Sequence, residues 1–246
     1  MIAILRKELT AIFSSLLAWL VIALFVAASG FYFWSNLSFF LLSGGFDLVR
    51  GLWQYQFLDM RQLMLTLLPL LSMRLMAEER RLGTLELLWT HPLRDGQIVL
   101  GKFLAALVVV LLMLLATLVQ PLALLAAQAE IPWGAVAAGY LGLLLLGGAF
   151  LACGILISAL TDSQVIAAAL SYTLLLIFWA MTWNEYAVGD GVLLQVLVKL
   201  SLFDRLYTFV RGGIDMRDVV FFLVFIGVFL IWTVQALGTR RWRGVR

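Results

Sequence analysis

The sequence predicts an all-α integral membrane protein with six transmembrane helices, on three observations. Of 246 residues, 64% are hydrophobic and only 13% charged, where a soluble domain is nearer half apolar and a quarter charged. A mean hydropathy of +1.05 leaves too few polar residues to cover a water-facing surface, so the remaining solvent for that apolar area is lipid. Six stretches approach or exceed the roughly 20 apolar residues that a bilayer crossing needs: 16–34, 57–76, 98–126, 133–160, 165–183 and 219–237.

Residues 1–15 precede the first stretch and place Ile2, Leu5, Leu9, Ile12 and Phe13 on one helical face, with Arg6, Lys7 and Thr10 away from it. That pattern predicts an interfacial amphipathic elbow helix on the inner leaflet. The first stretch carries no charge between Glu8 and Asp47 and no A-x-A-like site follows it, so it reads as a retained anchor, not a cleaved signal. In the second, Arg61 and Arg74 bracket twelve uncharged residues and can snorkel towards opposite interfaces. Pro69 predicts a kink there. The third and fourth stretches exceed the bilayer thickness and should tilt or protrude. In the fourth, Gly142, Gly147, Gly148, Ala152, Gly154 and Ser158 form a small-residue face, for helices of the same chain or for a dimer partner.

The connections 128–132 and 161–164 are short. Residues 184–218, between the last two stretches, are rich in Leu and Phe and carry both signs of charge. They read as an extracytoplasmic loop with a short helix lying on the membrane or dipping into it. Its acids Glu185, Asp190, Asp204, Asp215 and Asp218 either pair with Arg205, Arg211 and Arg217 or meet an extracytoplasmic accessory protein. Trp34, Trp133, Trp179 and Trp183 fall near predicted outer ends, as an aromatic belt would. With the N-terminus in the cytoplasm, eleven of the 17 Lys and Arg lie inside and six outside, so both termini are expected there. No linker divides residues 1–246, which read as a single transmembrane domain.

Composition narrows the chemistry. One cysteine, Cys153, and one histidine, His91, exclude an internal disulfide, a Cys-based metal cluster and a zinc pair. A net charge of +3 is too small and dispersed for nucleic-acid binding. Gly96, Gly101 and Lys102 nearly spell a phosphate-binding loop, but Phe103 stands where a magnesium-binding hydroxyl is required and no strand precedes it. An intramembrane protease lacks its Ser–His or paired Asp residues. A secondary transporter is disfavoured because the stretches show no aspartate well inside the membrane to couple protons or sodium.

The informative segment is the cytoplasmic loop 78–96 with its approaches. Gly83 is placed to end the helix continuing from the second stretch, and Thr84 can cap a short helix over 84–90 that Pro92 limits. Asp95 can cap the helix that follows. A seven-residue helix does not persist alone in water, and Leu85, Leu87, Leu88 and Trp89 are apolar, so either the membrane surface or a docked partner covers it.

Across residues 69–92 the chain reads P-x-x-S-M-R-x-x-A-E-E-R-R-x-G-T-L-E-L-L-x-T-x-P, followed by Gly101-Lys102-Phe103. This resembles the signature of type-2 ATP-binding-cassette (ABC) exporter permeases, nearest the gliding-motility and copper-enzyme-maturation branch. The entry Arg6-Lys7-Glu8-Leu9 with Phe13-Ser14-Ser15, and the 209–222 approach to the last stretch, resemble the same branch. Leu16 departs from it, since proline often follows the serine there, which bears on the elbow's bend. The resemblance implies a permease subunit of an exporter in the bacterial inner membrane, forming the substrate pathway with a second permease, identical or homologous. It also implies docking to a separate ATPase through the coupling helix. The matching positions are Glu79, Arg80, Gly83, Thr84 and Glu86, and Leu85, Leu87, Leu88, Trp89 and Thr90 complete the docking segment. The chain itself would be no enzyme and hold no cofactor, ATP and magnesium belonging to the partner. The alternative is a membrane anchor that transmits ATPase-driven motion to a partner complex without moving a solute.

Overall fold

The computed structural model describes residues 2–42, 48–81, 95–183 and 201–241, with side chains over 4–42, 51–78, 95–180 and 201–238. Its helices are α1 (Ile2–Ser14), α2 (Leu16–Leu42), α3 (Leu48–Arg81), α4 (Asp95–Thr117), α5 (Val119–Ala126), α6 (Trp133–Leu160), α7 (Gln164–Trp183), α8 (Leu202–Val210) and α9 (Met216–Arg241). No strand occurs among the described residues. Four helical segments are long and apolar enough to cross a membrane: Leu16–Leu42, Asp95–Ala126, Trp133–Leu160 and Met216–Gly238. The helix α3 is longer than any of these, at 34 residues, but Asp59, Arg61 and Arg74 interrupt its apolar run. The apolar part of α7, Gln164–Ala180, is shorter.

The bend at Ser15 needs no proline. Its N–H donates to Ile12 O at 3.1 Å, its Oγ accepts from Leu17 N at 3.3 Å, and Trp19 Nε1 reaches back to Phe13 O at 2.9 Å. The serine hydroxyl thus supplies one of the acceptors that the first turn of α2 lacks.

The first two stretches extend further than expected. Helix α2 continues past Trp34 to Leu42, and α3 begins at Leu48 instead of Phe57. Aromatic pairs zip the two together, Phe33 on Trp53 at 6.1 Å and Phe40 on Tyr55 at 5.7 Å. Asn36 Nδ2 also donates to Asp59 Oδ2 at 2.7 Å. Asp59 therefore lies within α3, with its carboxylate tied to α2. Helix α3 passes through Pro69 without a break.

The third stretch divides at Leu118. Pro121 lacks an N–H and its ring would meet the carbonyl of Thr117, four residues back. The chain answers with a tight turn, Leu118 N to Leu115 O at 3.1 Å, before α5 resumes. Thr117 Oγ1 meanwhile bonds Leu114 O at 2.7 Å and the Tyr140 hydroxyl at 3.1 Å. The break carries Gln120 inward. Its Nε2 donates to Ser29 Oγ at 2.8 Å and its Oε1 accepts from Gln56 Nε2 at 3.0 Å. All three side chains are buried, so this polar cluster pins α2, α3 and α5 together where few alternative partners exist.

Helix α6 is the centre of the bundle, packing against α3, α4, α7, α8 and α9. Its glycines explain how. A Cβ on Gly139, Gly147 or Gly154 would strike Phe57, Met64 or Ser72 of α3, and one on Gly142 would strike Phe209 of α8. The small-residue face therefore serves packing within the chain. Cys153 is fully buried on the same helix.

The short helix expected within 184–218 is α8. Ser201 caps it, its Oγ accepting from Asp204 N at 3.3 Å. Leu202, Phe203, Leu206, Phe209 and Val210 are all buried, so the helix sinks its apolar face into the bundle. It ends at Gly212, where a φ of +86° and a close approach to Ala135 both require glycine. Arg205 Nη1 bonds Asp218 Oδ1 at 2.8 Å while its guanidinium stacks on Phe221, which makes internal pairing the role of this acid. Arg61 lies under the ring of Phe203, 5.1 Å from its centroid. Trp34 and Trp133 are exposed, as a belt needs, but Trp179 packs against the core.

Candidate functional site

The segment singled out by the sequence sits between α3 and α4. Glu79 and Arg80 fall in the last turn of α3. Gly83, Thr84, Leu85, Glu86, Leu87, Leu88, Trp89 and Thr90 lie outside the described residues, as does His91. What the structure gives is the frame from which that segment departs and to which it returns. The frame consists of the end of α3, the start of α4, the elbow α1 and the C-terminal part of α6.

The end of α3 is stitched to α6. Ser158 Oγ accepts from Met76 N at 3.1 Å and Ala77 N at 3.0 Å, and donates to Met73 O at 2.9 Å. One buried hydroxyl so joins three backbone groups in the turn that leads to Glu78. Any displacement of the α3 terminus must carry α6 with it or break these bonds.

The elbow is fastened to both helices that flank the segment. On the α3 side, Arg74 Nη1 donates to Ser15 Oγ at 2.9 Å. On the α4 side, Lys102 Nζ donates to Glu8 Oε2 at 3.0 Å, with the two side chains only 2% and 8% exposed. A charge pair this dry survives only when each ion neutralises the other. Ile4 sits so close to Gly101 that any larger residue there would collide with it. The face of α1 turned to the protein is therefore Ile4, Glu8 and Ile12, roughly a quarter turn from the expected stripe. Leu5 and Leu9 flank it, half-buried.

These contacts give physical roles to the described part of the signature. Arg74 holds the elbow, Met73 accepts from Ser158, Gly101 admits Ile4, and Lys102 neutralises Glu8. Sequence reasoning missed the pairing of Glu8 and Lys102 because the lysine drew attention as a failed phosphate-loop residue and as part of the family signature, not as a partner for α1. A signal was present, for Glu8 shares a stripe with Ile4 and Ile12, and an acid on an apolar stripe requires a buried cation. Among the described residues no group of three or more His, Cys, Asp or Glu side chains is placed to hold a metal ion.

A helical bundle with several helices long and apolar enough to cross a bilayer, and a short amphipathic helix docked at one end, defines a multi-pass membrane protein. The comparison with known families places it further. The family model described as ABC-2 family transporter protein matches residues 2–242, and the chain belongs to that family. Members of this family are the membrane components of ABC transporters, not their catalytic subunits, and work with an ATPase subunit. No curated protein matches the chain.

Proposed function

We propose that the chain is the permease subunit of an ABC exporter of the gliding-motility and copper-enzyme-maturation branch. It pairs with a second permease and docks a separate ATPase through residues 84–90. In this reading α3 and α7 complete a set of six spans, both termini are cytoplasmic, and ATP and magnesium stay in the partner. The observation that carries it is the convergence of α1, α3, α4 and α6 around the ends of the 82–94 segment, in a chain whose family works with an ATPase.

The mechanism follows from the fastenings. A force delivered to the segment acts on the end of α3 and the start of α4 together. Ser158 passes the motion of α3 to α6, the helix in contact with most of the bundle. Arg74 and Lys102 carry α1 along, so elbow and spans move as one body. Closure of two ATPases around nucleotide would then favour one of two packings of the permease pair, which is alternating access stated as a population shift.

Affinity purification of the tagged chain in mild detergent, with identification of what accompanies it, tests the reading. An ATPase bearing a phosphate-binding loop, recovered in equal amount with the permease, is the expected result. Recovery of the permease without any ATPase contradicts it.

A further inference from the structure

Beside the elbow lies a cavity of about 300 Å³, lined by Glu8, Ser14 and Ser15 with Arg74, Glu78 and Lys102, and closed on its apolar side by Leu17, Ala18, Leu71 and Leu75. The volume equals roughly ten water molecules, room for a phosphodiester group and its first carbons. The site has two chemistries. Polar and charged groups come from α1, the last turns of α3 and the start of α4, and aliphatic groups come from the first turn of α2 and from Leu71 and Leu75 beside Arg74 on α3.

We propose that this cavity binds the phosphate of an anionic membrane phospholipid, with the start of its acyl region against Leu17, Leu71 and Leu75. Arg74 is the principal recognition group. Only one of its five N–H donors is accounted for by Ser15. Its Nε is buried with no hydrogen-bond acceptor, and Glu78 Oε2, at 3.9 Å, is too distant to serve as one. That one N–H is buried without a partner while the side chain as a whole is 38% exposed, so the guanidinium can be reached from the cavity, and a phosphate oxygen matches its fork. The second observation is charge. Ala11 and Ser14 also line an adjoining hollow that holds Arg6 and Lys7. Among the described lining residues of the two hollows are the cations Arg6, Lys7, Arg74 and Lys102 and the carboxylates Glu8 and Glu78, of which Glu8 is paired with Lys102. The third observation is position. The cavity sits where α2 begins, and the neighbouring Leu16, Trp19 and Leu20 are exposed, so the headgroup level and the apolar level of a bilayer meet at this point. A lipid seated there would hold the elbow against the bundle from the membrane side, as Ser15 and Glu8 hold it from the protein side.

The test uses the full chain, purified in mild detergent and washed free of lipid, with the thermal unfolding midpoint read during titration. The probes are phosphatidylglycerol, phosphatidylcholine and inorganic phosphate. Phosphatidylglycerol is expected to raise the midpoint saturably, and the other two to have little effect. Arg74→Gln removes the recognition group, and Ala11→Phe plugs the cavity from an exposed position on α1. Both should weaken the affinity for phosphatidylglycerol about tenfold or more. If Arg74→Gln does not fold, Ala11→Phe carries the test, since its own midpoint without lipid should match the wild type. An unchanged affinity in Ala11→Phe overturns the site. A response to inorganic phosphate equal to that for phosphatidylglycerol overturns its assignment to lipid, and an equal response to phosphatidylcholine overturns the preference for anionic lipid.

Discussion

Replacing Lys102 with methionine removes the cation from a pair that is almost wholly dry. The side chains of Lys102 and Glu8 are 2% and 8% exposed and their charged atoms stand 3.0 Å apart. Methionine keeps much of the lysine's length and apolar stem, so the change acts on charge more than on volume. The Glu8 carboxylate would be left buried opposite a thioether, a cost of about 3–5 kcal/mol. Against a folding stability of about 5–15 kcal/mol that is a large share. Glu8→Leu strands the ammonium and should cost a similar amount. The double variant, Glu8→Leu with Lys102→Met, removes both charges of this pair and should recover most of either single loss. Unfolding titrations of the purified variants in detergent, followed by the fluorescence of the nine tryptophans, measure all three. Two single variants whose losses simply add in the double, or that each lose less than about 0.5 kcal/mol, would refute the argument.

Three further outcomes follow. Ser158→Ala deletes the hydroxyl that serves Met76 N, Ala77 N and Met73 O. It should cost about 1–3 kcal/mol in the same titration, while Ser158→Thr, which keeps the hydroxyl, should cost less. Gly154→Leu drives a side chain into Ser72 on α3 and should destabilise by about 1–3 kcal/mol or abolish folding, seen as loss of a monodisperse peak in size-exclusion chromatography. The same change at Gly30, where nothing approaches, should leave the peak intact. Cys153, fully buried and the sole cysteine, should resist a maleimide in native membranes and react once the protein is denatured; rapid labelling of the native protein would show the α6 packing to be wrong.

The helical class, the approximate places of the long helices, a short helix within 184–218 now seen as α8 and a small-residue packing face on α6 were legible from residue type and spacing. Each rests on a local rule, such as apolar length or a Ser cap with a Gly end. Other features were not legible because they depend on which distant residues meet. Extension of α2 and α3 beyond the apolar runs depends on Asn36 reaching Asp59 and on rings pairing across the hairpin. Division of the third stretch could have been read from Pro121, whose missing N–H was in view. That the break serves to turn Gln120 towards Ser29 and Gln56 could not be read. The face that the elbow docks on the bundle was not legible because the apolar stripe was read as a membrane-facing one, and a buried Glu8 becomes intelligible only once Lys102 is seen beside it.

Docking of an ATPase through 84–90 is the central claim, and one comparison tests it most directly. The wild-type chain and the double variant Glu86→Ala with Leu88→Ala are expressed with the partner ATPase and purified through a tag on the permease. The account predicts that the variant inserts and is recovered at normal yield while the co-purified ATPase falls about tenfold or more, as loss of a central contact pair would cause. Equal recovery of ATPase with both chains would contradict it.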